Sequence, residues 1–402
     1  MANPDASPQG GPRLTEGRLS GGHLPEGHLP AGSLPPVTPP TATFLLQLFL
    51  IPLLIVSIVV LLWLMFSWVA HMGRDNAGDL AKGIVRGDAS SWQRAYELAD
   101  LLRSPDPKYA ALRGDAALAK SLADFLGRDL DEPLPSAHSL ASSFGPSSGT
   151  YSGGQAPRGS ELRSCIVRRM YLCRSLGSFT VLEGLPVLVK AATQEKDPVE
   201  VQVRFSAIEA IATLADNCGP KSIAENPEAM SAILAASRVP DDNAPPPPPS
   251  DDGEIPLYRP HAELRAVAAY ALGVIGGEQA TSRLEAMLHD TYPNARYNAA
   301  TGLARAGDEQ CVRVLREMLD PENALSVKDE ISPNDQARKR TTVLLNGIKA
   351  TLHLATANPQ ADLAPLREAI QHLASAPLTN ITVERNKVKS AAREALTLID
   401  KR

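Results

Sequence analysis

Apolar residues recur at helical spacing through most of the chain, from about residue 78 to the C terminus. Positions i, i+3, i+4 and i+7 share one face of an α-helix, so this period predicts amphipathic helices rather than strands. The helices come in pairs, and we name the first of each pair A and the second B. About seven pairs are predicted, with A helices near 80–85, 116–126, 181–192, 228–237, 280–288, 310–319 and 363–373, and B helices that begin near residues 92, 162, 199, 262, 295, 336 and 388.

One segment of this pattern is written twice. The residues from Leu264 to Gly273 return 31 residues later, so that Arg265 matches Arg296 and the alanine pair at 268–269 matches the pair at 299–300. A fixed period of this size is typical of helical solenoids, which usually serve as binding surfaces. The predicted fold class is therefore all-α, an α-solenoid of helical hairpins.

The longest apolar run precedes the solenoid and extends from Phe44 to Ala70 without a charged residue. A helix needs roughly 20 apolar residues to cross a bilayer core. The run is too long and begins too late for a cleaved signal peptide, so we predict one transmembrane helix over 44–70. The segment 1–43, rich in Pro and Gly, is predicted to be a disordered tail, 71–77 a juxtamembrane linker, and 78–402 the solenoid.

Basic residues predict how this helix is oriented. Arg74, Lys82 and Arg86 follow the apolar run closely, whereas Arg13 and Arg18 lie far from its first end. Positive residues favour the cytoplasmic side of a membrane. We therefore expect the solenoid to face the cytoplasm.

The composition narrows the classes of partner. Apolar residues make up 44% of the 402 residues but aromatic ones only 4%, so alanine and branched aliphatic residues must build the core. A net charge of −5 provides no basic footprint for nucleic acid. The four cysteines form no CxxC pair, which favours small buried side chains in a reducing compartment.

The B helices share a further motif, in which an aspartate in the preceding turn is followed by an arginine in the helix. Both members are present in Asp197 with Arg204 and in Asp290 with Arg296, whereas Arg265 represents the arginine alone. Over roughly 78–400 the chain resembles HEAT repeats of the short bacterial kind related to phycobilin-lyase repeats. The resemblance implies a bacterial protein, hence an inner-membrane location. It also implies a structural ladder between repeats, carried here by Asp197, Arg204, Arg265, Asp290, Arg296 and Asp320.

Four insertions interrupt the repeats, at 130–160, 240–260, 321–335 and 376–386. Each falls between the A and B helix of one pair, so all four are predicted on one edge of the solenoid. Solenoids tolerate loops cheaply because closure entropy grows slowly with length. The alternative is a partner-binding loop, for which a stiff polyproline run is suited. That run consists of Pro245, Pro246, Pro247, Pro248 and Pro249.

Catalytic motifs are missing from the sequence. It contains no GxSxG, no HExxH and no His-Glu dipeptide, and its histidines are scattered over different repeats. We therefore expect no catalytic residue, cofactor, metal or small-molecule substrate. The favoured function is a membrane-anchored, non-catalytic scaffold for protein partners. One alternative is an accessory subunit of a membrane enzyme or transporter, recruited through the transmembrane helix. Another is a lyase-like enzyme.

Overall fold

The computed structural model describes residues 42–72, 77–85, 90–134, 158–241, 259–330, 332–379 and 381–401. All regular structure in these ranges is helical, and none of it is strand. The chain divides into two units, one that ends at Met72 and one that extends from Gly73 to Arg402. Most of the predicted tail, most of the insertion at 130–160 and the whole polyproline run lie outside the described residues.

In its described part the first unit is one helix, α1, from Ala42 to Met72. Most of the side chains described along it are apolar and exposed, with Trp63 at 67% and Phe66 at 65% exposure. Within α1 the described side chains run unbroken only from 52 to 67. Over the described residues, no helix is long and apolar enough to span a membrane. The span predicted over 44–70 is not supported by this finding and stays a prediction.

In the described residues of the second unit, fourteen helices form the predicted A and B pairs, and two short helices connect them. The A helices are α2 (Ala77–Val85), α5 (Ala116–Asp131), α7 (Leu185–Thr193), α10 (Pro227–Ala236), α12 (Glu278–Met287), α14 (Val312–Leu319) and α16 (Ala364–Ser375). The B helices are α3 (Ser91–Arg103), α6 (Arg158–Gly177), α8 (Val201–Cys218), α11 (His261–Ile275), α13 (Pro293–Ala306), α15 (Pro333–Ala357) and α17 (Arg385–Ile399). The short helices α4 (Ala110–Arg113) and α9 (Pro220–Ala224) connect them.

These helices pack as an α-solenoid. Every A helix contacts the B helix of its own pair, and each B helix contacts the next one along the chain, from α3 through to α17. The A helices form a second, looser row, in which α2, α5, α7 and α10 pack in succession. Over the described residues, the predicted all-α fold with solenoid packing is confirmed.

Small residues let the B helices approach one another closely. Ala268, Ala269, Ala299 and Ala300 are fully buried between neighbouring helices. Where α11 crosses α13, a Cβ added to Gly302 would lie 2.7 Å from the Cα of a glycine on α11. One continuous apolar core extends through the stack as a result. The alanine-rich composition predicted this close packing.

Local signals determine where the helices begin and end. The Asn226 and Ser332 side chains each accept a hydrogen bond from a first-turn N–H, of α10 and α15 respectively. Both helices then start with a proline, whose fixed φ suits the first helical position. At the end of α11, Gly276 has φ +70°, a backbone conformation that residues other than glycine rarely adopt. Short 3-10 turns at 182–184 and 309–311, which the periodicity did not predict, precede α7 and α14.

Candidate functional site

A groove of about 560 Å³ crosses four successive B helices, along the side of the stack that we call the B-helix face. Its sides come from α8, α11, α13 and α15, together with the loop at 321–330 that follows α14. The loop belongs to the third predicted insertion. One of the predicted insertions therefore contributes to the wall of the groove.

The lining residues occupy equivalent positions of successive repeats. On α11 they stand at 263, 266, 267 and 270, on α13 at 294, 297, 298 and 301, and on α15 at 339, 342, 343 and 346. Each set follows the i, i+3, i+4, i+7 spacing of one helix face. The sets on α11 and α13 are offset by the same 31 residues as the sequence repeat. The groove thus follows one face of the B helices.

Tyr297 is the most firmly held aromatic residue of the groove. Its hydroxyl donates to Glu317 Oε1 at 2.9 Å and accepts from Asn323 Nδ2 at 2.8 Å. The same amide donates to the Glu317 carbonyl at 2.9 Å. Burial, reinforced by the Glu317 carboxylate, raises the pKa of Tyr297. The ring is therefore a neutral, fixed wall that ties the loop at 321–330 to α13.

Tyr292 lies one residue before α13 and forms the adjacent part of the groove. Its hydroxyl accepts from Asn294 Nδ2 at 3.1 Å, and its N–H donates to Asp290 Oδ1 at 2.9 Å. Lys328 Nζ lies 5.9 Å from the centre of its ring. Burial and the nearby Glu263 carboxylate raise the pKa of the phenol.

Charged side chains are arranged along the edges. Arg259 stacks on the Phe205 ring at 3.8 Å, donates to Gln202 Oε1 at 2.9 Å and forms an ion pair with Glu263. On the other side, Lys339 lies 3.9 Å from Glu330. The groove therefore combines aromatic rings, carboxylates and amides around an apolar floor.

The lining of the groove is chemically mixed. It includes hydroxyl, amide, carboxylate and ammonium groups but neither histidine nor cysteine. Elsewhere in the described part of the chain, no group of three or more His, Cys, Asp or Glu residues is placed to hold a metal ion. The groove can supply hydrogen bonds, aromatic contacts and charge complementarity.

Of the six residues assigned to the ladder, Arg265 and Asp290 come together as an ion pair between adjacent repeats. Arg265 Nε and Nη2 donate to the two carboxylate oxygens at 2.8 and 2.9 Å. Arg265 also donates to Asp241 Oδ1 at 2.6 Å and to the Val239 carbonyl at 3.2 Å. Both members of the pair are nearly buried, with 7% and 9% of their side chains exposed.

The other four ladder residues have different partners. Arg204, on α8, pairs with Glu195 and donates to the Ala192 carbonyl at 3.0 Å. Both of these partners precede α8 in the chain. Arg296 pairs with Glu317 at 2.6 Å instead of with Asp320.

The two remaining aspartates act locally. Asp197 accepts from the Val199 N–H at 3.0 Å, and Asp320 accepts from the Glu322 N–H at 2.9 Å. These short side chains satisfy the N–H groups of their own turns, so neither reaches an arginine of the neighbouring repeat.

A buried charge cluster that the sequence pattern missed links the second and third pairs. Arg169 is fully buried and lies 3.4 Å from Asp129 and 3.3 Å from Glu200. Arg168 adds two donors to the same Asp129 carboxylate, at 3.0 and 2.9 Å. The cluster occupies the ladder's place at this joint, but with glutamate and a helix-terminal aspartate as acceptors.

A family model described as HEAT repeats matches residues 255–331, which include α11 to α14 and the groove loop. These residues form HEAT repeats. The finer relation of these HEAT repeats to those of phycobilin lyases stays a prediction.

No curated protein matches this chain. Among solved structures, human deoxyhypusine hydroxylase in complex with glycerol is 19% identical, over 71% of this chain and 98% of that one, with a TM-score of 0.23. An engineered protein from a structural genomics consortium is 16% identical, over 81% and 95%, with a TM-score of 0.22. Neither similarity is close enough to carry an argument about function.

Proposed function

We propose that this HEAT-repeat protein is a non-catalytic scaffold that holds protein partners in the groove of its B-helix face, and that α1 anchors it to a membrane. The observation that carries the proposal is the groove itself, which spans four successive B helices and is lined with tyrosines, carboxylates and amides. Tyrosine is enriched where proteins bind one another, because its ring is large, rigid and polar at one end.

The dimensions of the groove favour a polypeptide as its occupant. Packed helices lie about 9 Å apart, so four of them extend over roughly 27 Å. An extended chain covers this distance with about eight residues, at ~3.4 Å for each one. Lining groups repeat along the whole length, as a peptide requires, whereas a small ligand would contact only a part of them.

The membrane anchor rests on α1. Large apolar side chains are exposed along it, including Leu53, Leu61, Trp63 and Phe66, each at 65–67%. A large exposed apolar surface of this kind requires cover, which a bilayer or another apolar helix provides. Lys and Arg after α1 support a cytoplasmic solenoid, and the resemblance to bacterial repeats supports an anchor in the inner membrane. A tether would raise the local concentration of weakly bound partners.

The exposed surface of α1 also favours a second candidate. If α1 packs against helices of a larger complex, the chain is an accessory subunit of a membrane enzyme or transporter, recruited through α1 rather than through the groove. The two candidates place the decisive contact in different units of the chain, so they can be separated by position-specific cross-linking.

The test uses the full-length chain in bacterial membranes, with a photo-cross-linking amino acid at one of three positions. These are Tyr270 in the groove, Glu228 on an A helix, and Trp63 in α1. The scaffold proposal expects discrete protein adducts from Tyr270 and none from Glu228. Adducts from Trp63 alone would favour the accessory subunit and overturn the scaffold. Release of the chain by alkaline carbonate extraction would overturn the anchor.

A further inference from the structure

Two of the chain's own cations lie near aromatic rings of the groove, one in close contact and one at longer range. Arg259 lies 3.8 Å above the Phe205 ring with the Glu263 carboxylate beside it. Lys328 lies 5.9 Å from the centre of the Tyr292 ring. An aromatic face beside a carboxylate is a favourable environment for guanidinium and ammonium groups.

An aromatic ring and carboxylates are also found elsewhere in the lining of the same groove. Tyr270 on α11 is 38% exposed. Glu209, on the neighbouring helix α8, has 42% of its side chain exposed and only a long 3.6 Å contact with Arg174. Asp329 is exposed on the loop opposite. These residues provide a ring and carboxylates that remain accessible to a ligand.

The charges of the lining support this interpretation. Four carboxylates line the groove, and two of them have partners within the chain, since Glu263 pairs with Arg259 and Glu330 lies 3.9 Å from Lys339. The carboxylates of Glu209 and Asp329 are the accessible ones. Between them the floor is apolar, with Val267, Met318 and Val343 among its residues. A ligand that matches the groove therefore carries positive charges at intervals, separated by apolar groups.

We propose that the groove binds an extended segment of a partner protein in which arginine or lysine alternates with apolar residues. This inference rests on the scaffold function proposed above and names the chemistry of its partner. Tyr270 and Glu209 receive one cation, Asp329 receives a second, and the floor receives the apolar side chains between them. Arginine suits the first position best, since its planar guanidinium both stacks on a ring and pairs with a carboxylate.

The test measures binding of a fluorescein-labelled nine-residue peptide, in which arginine alternates with leucine, to the full-length chain in detergent. A matched peptide has glutamine in place of every arginine. The groove variant is Glu209→Gln with Asp329→Asn. Its control, Glu228→Gln with Glu285→Gln, removes the same number of charges from A helices outside the groove. Circular dichroism establishes that each variant is folded.

We expect saturable binding of the arginine peptide and none of the glutamine peptide. The groove variant should lose about tenfold in affinity, and Tyr270→Ala about fivefold. The A-helix control should change affinity less than about twofold, as expected for distant, solvent-screened charges. An equal loss in both double variants would overturn the proposal, because it would mean non-specific attraction.

Failure of this inference can be distinguished from failure of the scaffold. If cross-linking from Tyr270 captures a protein that excess arginine peptide does not displace, the groove is a binding site but not for a cationic segment. Displacement of the captured protein by the arginine peptide, but not by the glutamine peptide, supports both proposals.

Discussion

Replacing Arg265 with alanine tests the ion pair that joins two adjacent repeats. The guanidinium donates to both oxygens of Asp290 and to the Val239 carbonyl. Removing it leaves the Asp290 carboxylate with the Tyr292 N–H as its remaining hydrogen-bond donor. Because this carboxylate is only 9% exposed, water replaces the lost donors poorly.

The magnitude follows from this burial. Loss of one member of a buried ion pair costs ~3–5 kcal/mol, whereas exposed pairs contribute ~0–1 kcal/mol. The second partner of Arg265, Asp241, has 56% of its side chain exposed and adds little. We therefore expect Arg265→Ala to destabilise the joint between α11 and α13 by about 3 kcal/mol.

The pair also predicts a dependence on pH. Burial by itself raises the pKa of Asp290, but hydrogen bonds from Arg265 and the Tyr292 N–H outweigh it and hold that pKa below the ordinary value of 3.8. A carboxyl whose pKa is lowered by folding stabilises the protein above its unfolded pKa. This contribution is lost as pH falls below 3.8 through the folded pKa. In Arg265→Ala that part of the acid sensitivity should shrink.

Hydrogen exchange followed by mass spectrometry is the suitable assay, because a repeat array opens in parts and a single melting temperature averages over them. Amides of α11 and α13 should exchange roughly a hundredfold faster in Arg265→Ala, while those of α3 stay unchanged. The control is Lys221→Ala, which removes an ion pair whose side chains are 86% and 67% exposed. Unchanged protection in α11 and α13 would refute the structural role of Arg265.

Three further changes test other parts of the molecule. Gly302→Ala should cost about 1–3 kcal/mol in a denaturation experiment, because the new Cβ would lie 2.7 Å from backbone, whereas Gly127→Ala meets its first atom only at 3.8 Å and should be neutral or stabilising. Burial raises the pKa of Cys173 and of Cys311 to about 12, so iodoacetamide at pH 8 should modify neither thiol in the folded protein, as peptide mass spectrometry would show. Burial and nearby cations lower the pKa of His353, so its NMR titration midpoint should lie below 6.5, and its contribution to stability should be lost as pH falls below that value.

The helices could be predicted from sequence because the apolar period is a local property. The B helix expected near residue 295 begins at Pro293, and the one expected near 336 begins at Pro333. In both cases the proline at the first helical position was the sharper signal. The 3-10 turns before α7 and α14 leave no comparable mark, since a single turn contains too few residues to show a period.

Ionic partners were harder to predict than helices. The resemblance assigned Asp320 to the ladder, but Arg296 pairs with Glu317, three residues earlier on the same side of α14. A rotation of one helix by a fraction of a turn decides which of two such acids lies within reach. Sequence spacing does not determine that rotation, because side-chain packing against the neighbouring repeat sets it.

The groove is shaped by positions at which successive repeats differ from one another. Ala266 on α11 and Tyr297 on α13 occupy equivalent repeat positions, yet only the tyrosine has a loop to hold. Asn323 bonds to this tyrosine, and Arg340 donates to carbonyls of the loop at 2.7 and 3.2 Å. These bonds place an insertion over a face that is otherwise a uniform stripe. The repeat thus predicts the stack, while its departures, a large ring for a small residue and a long turn for a short one, shape the groove. In a solenoid, candidate partner contacts are best sought at positions where equivalent residues differ in size and an insertion lies nearby.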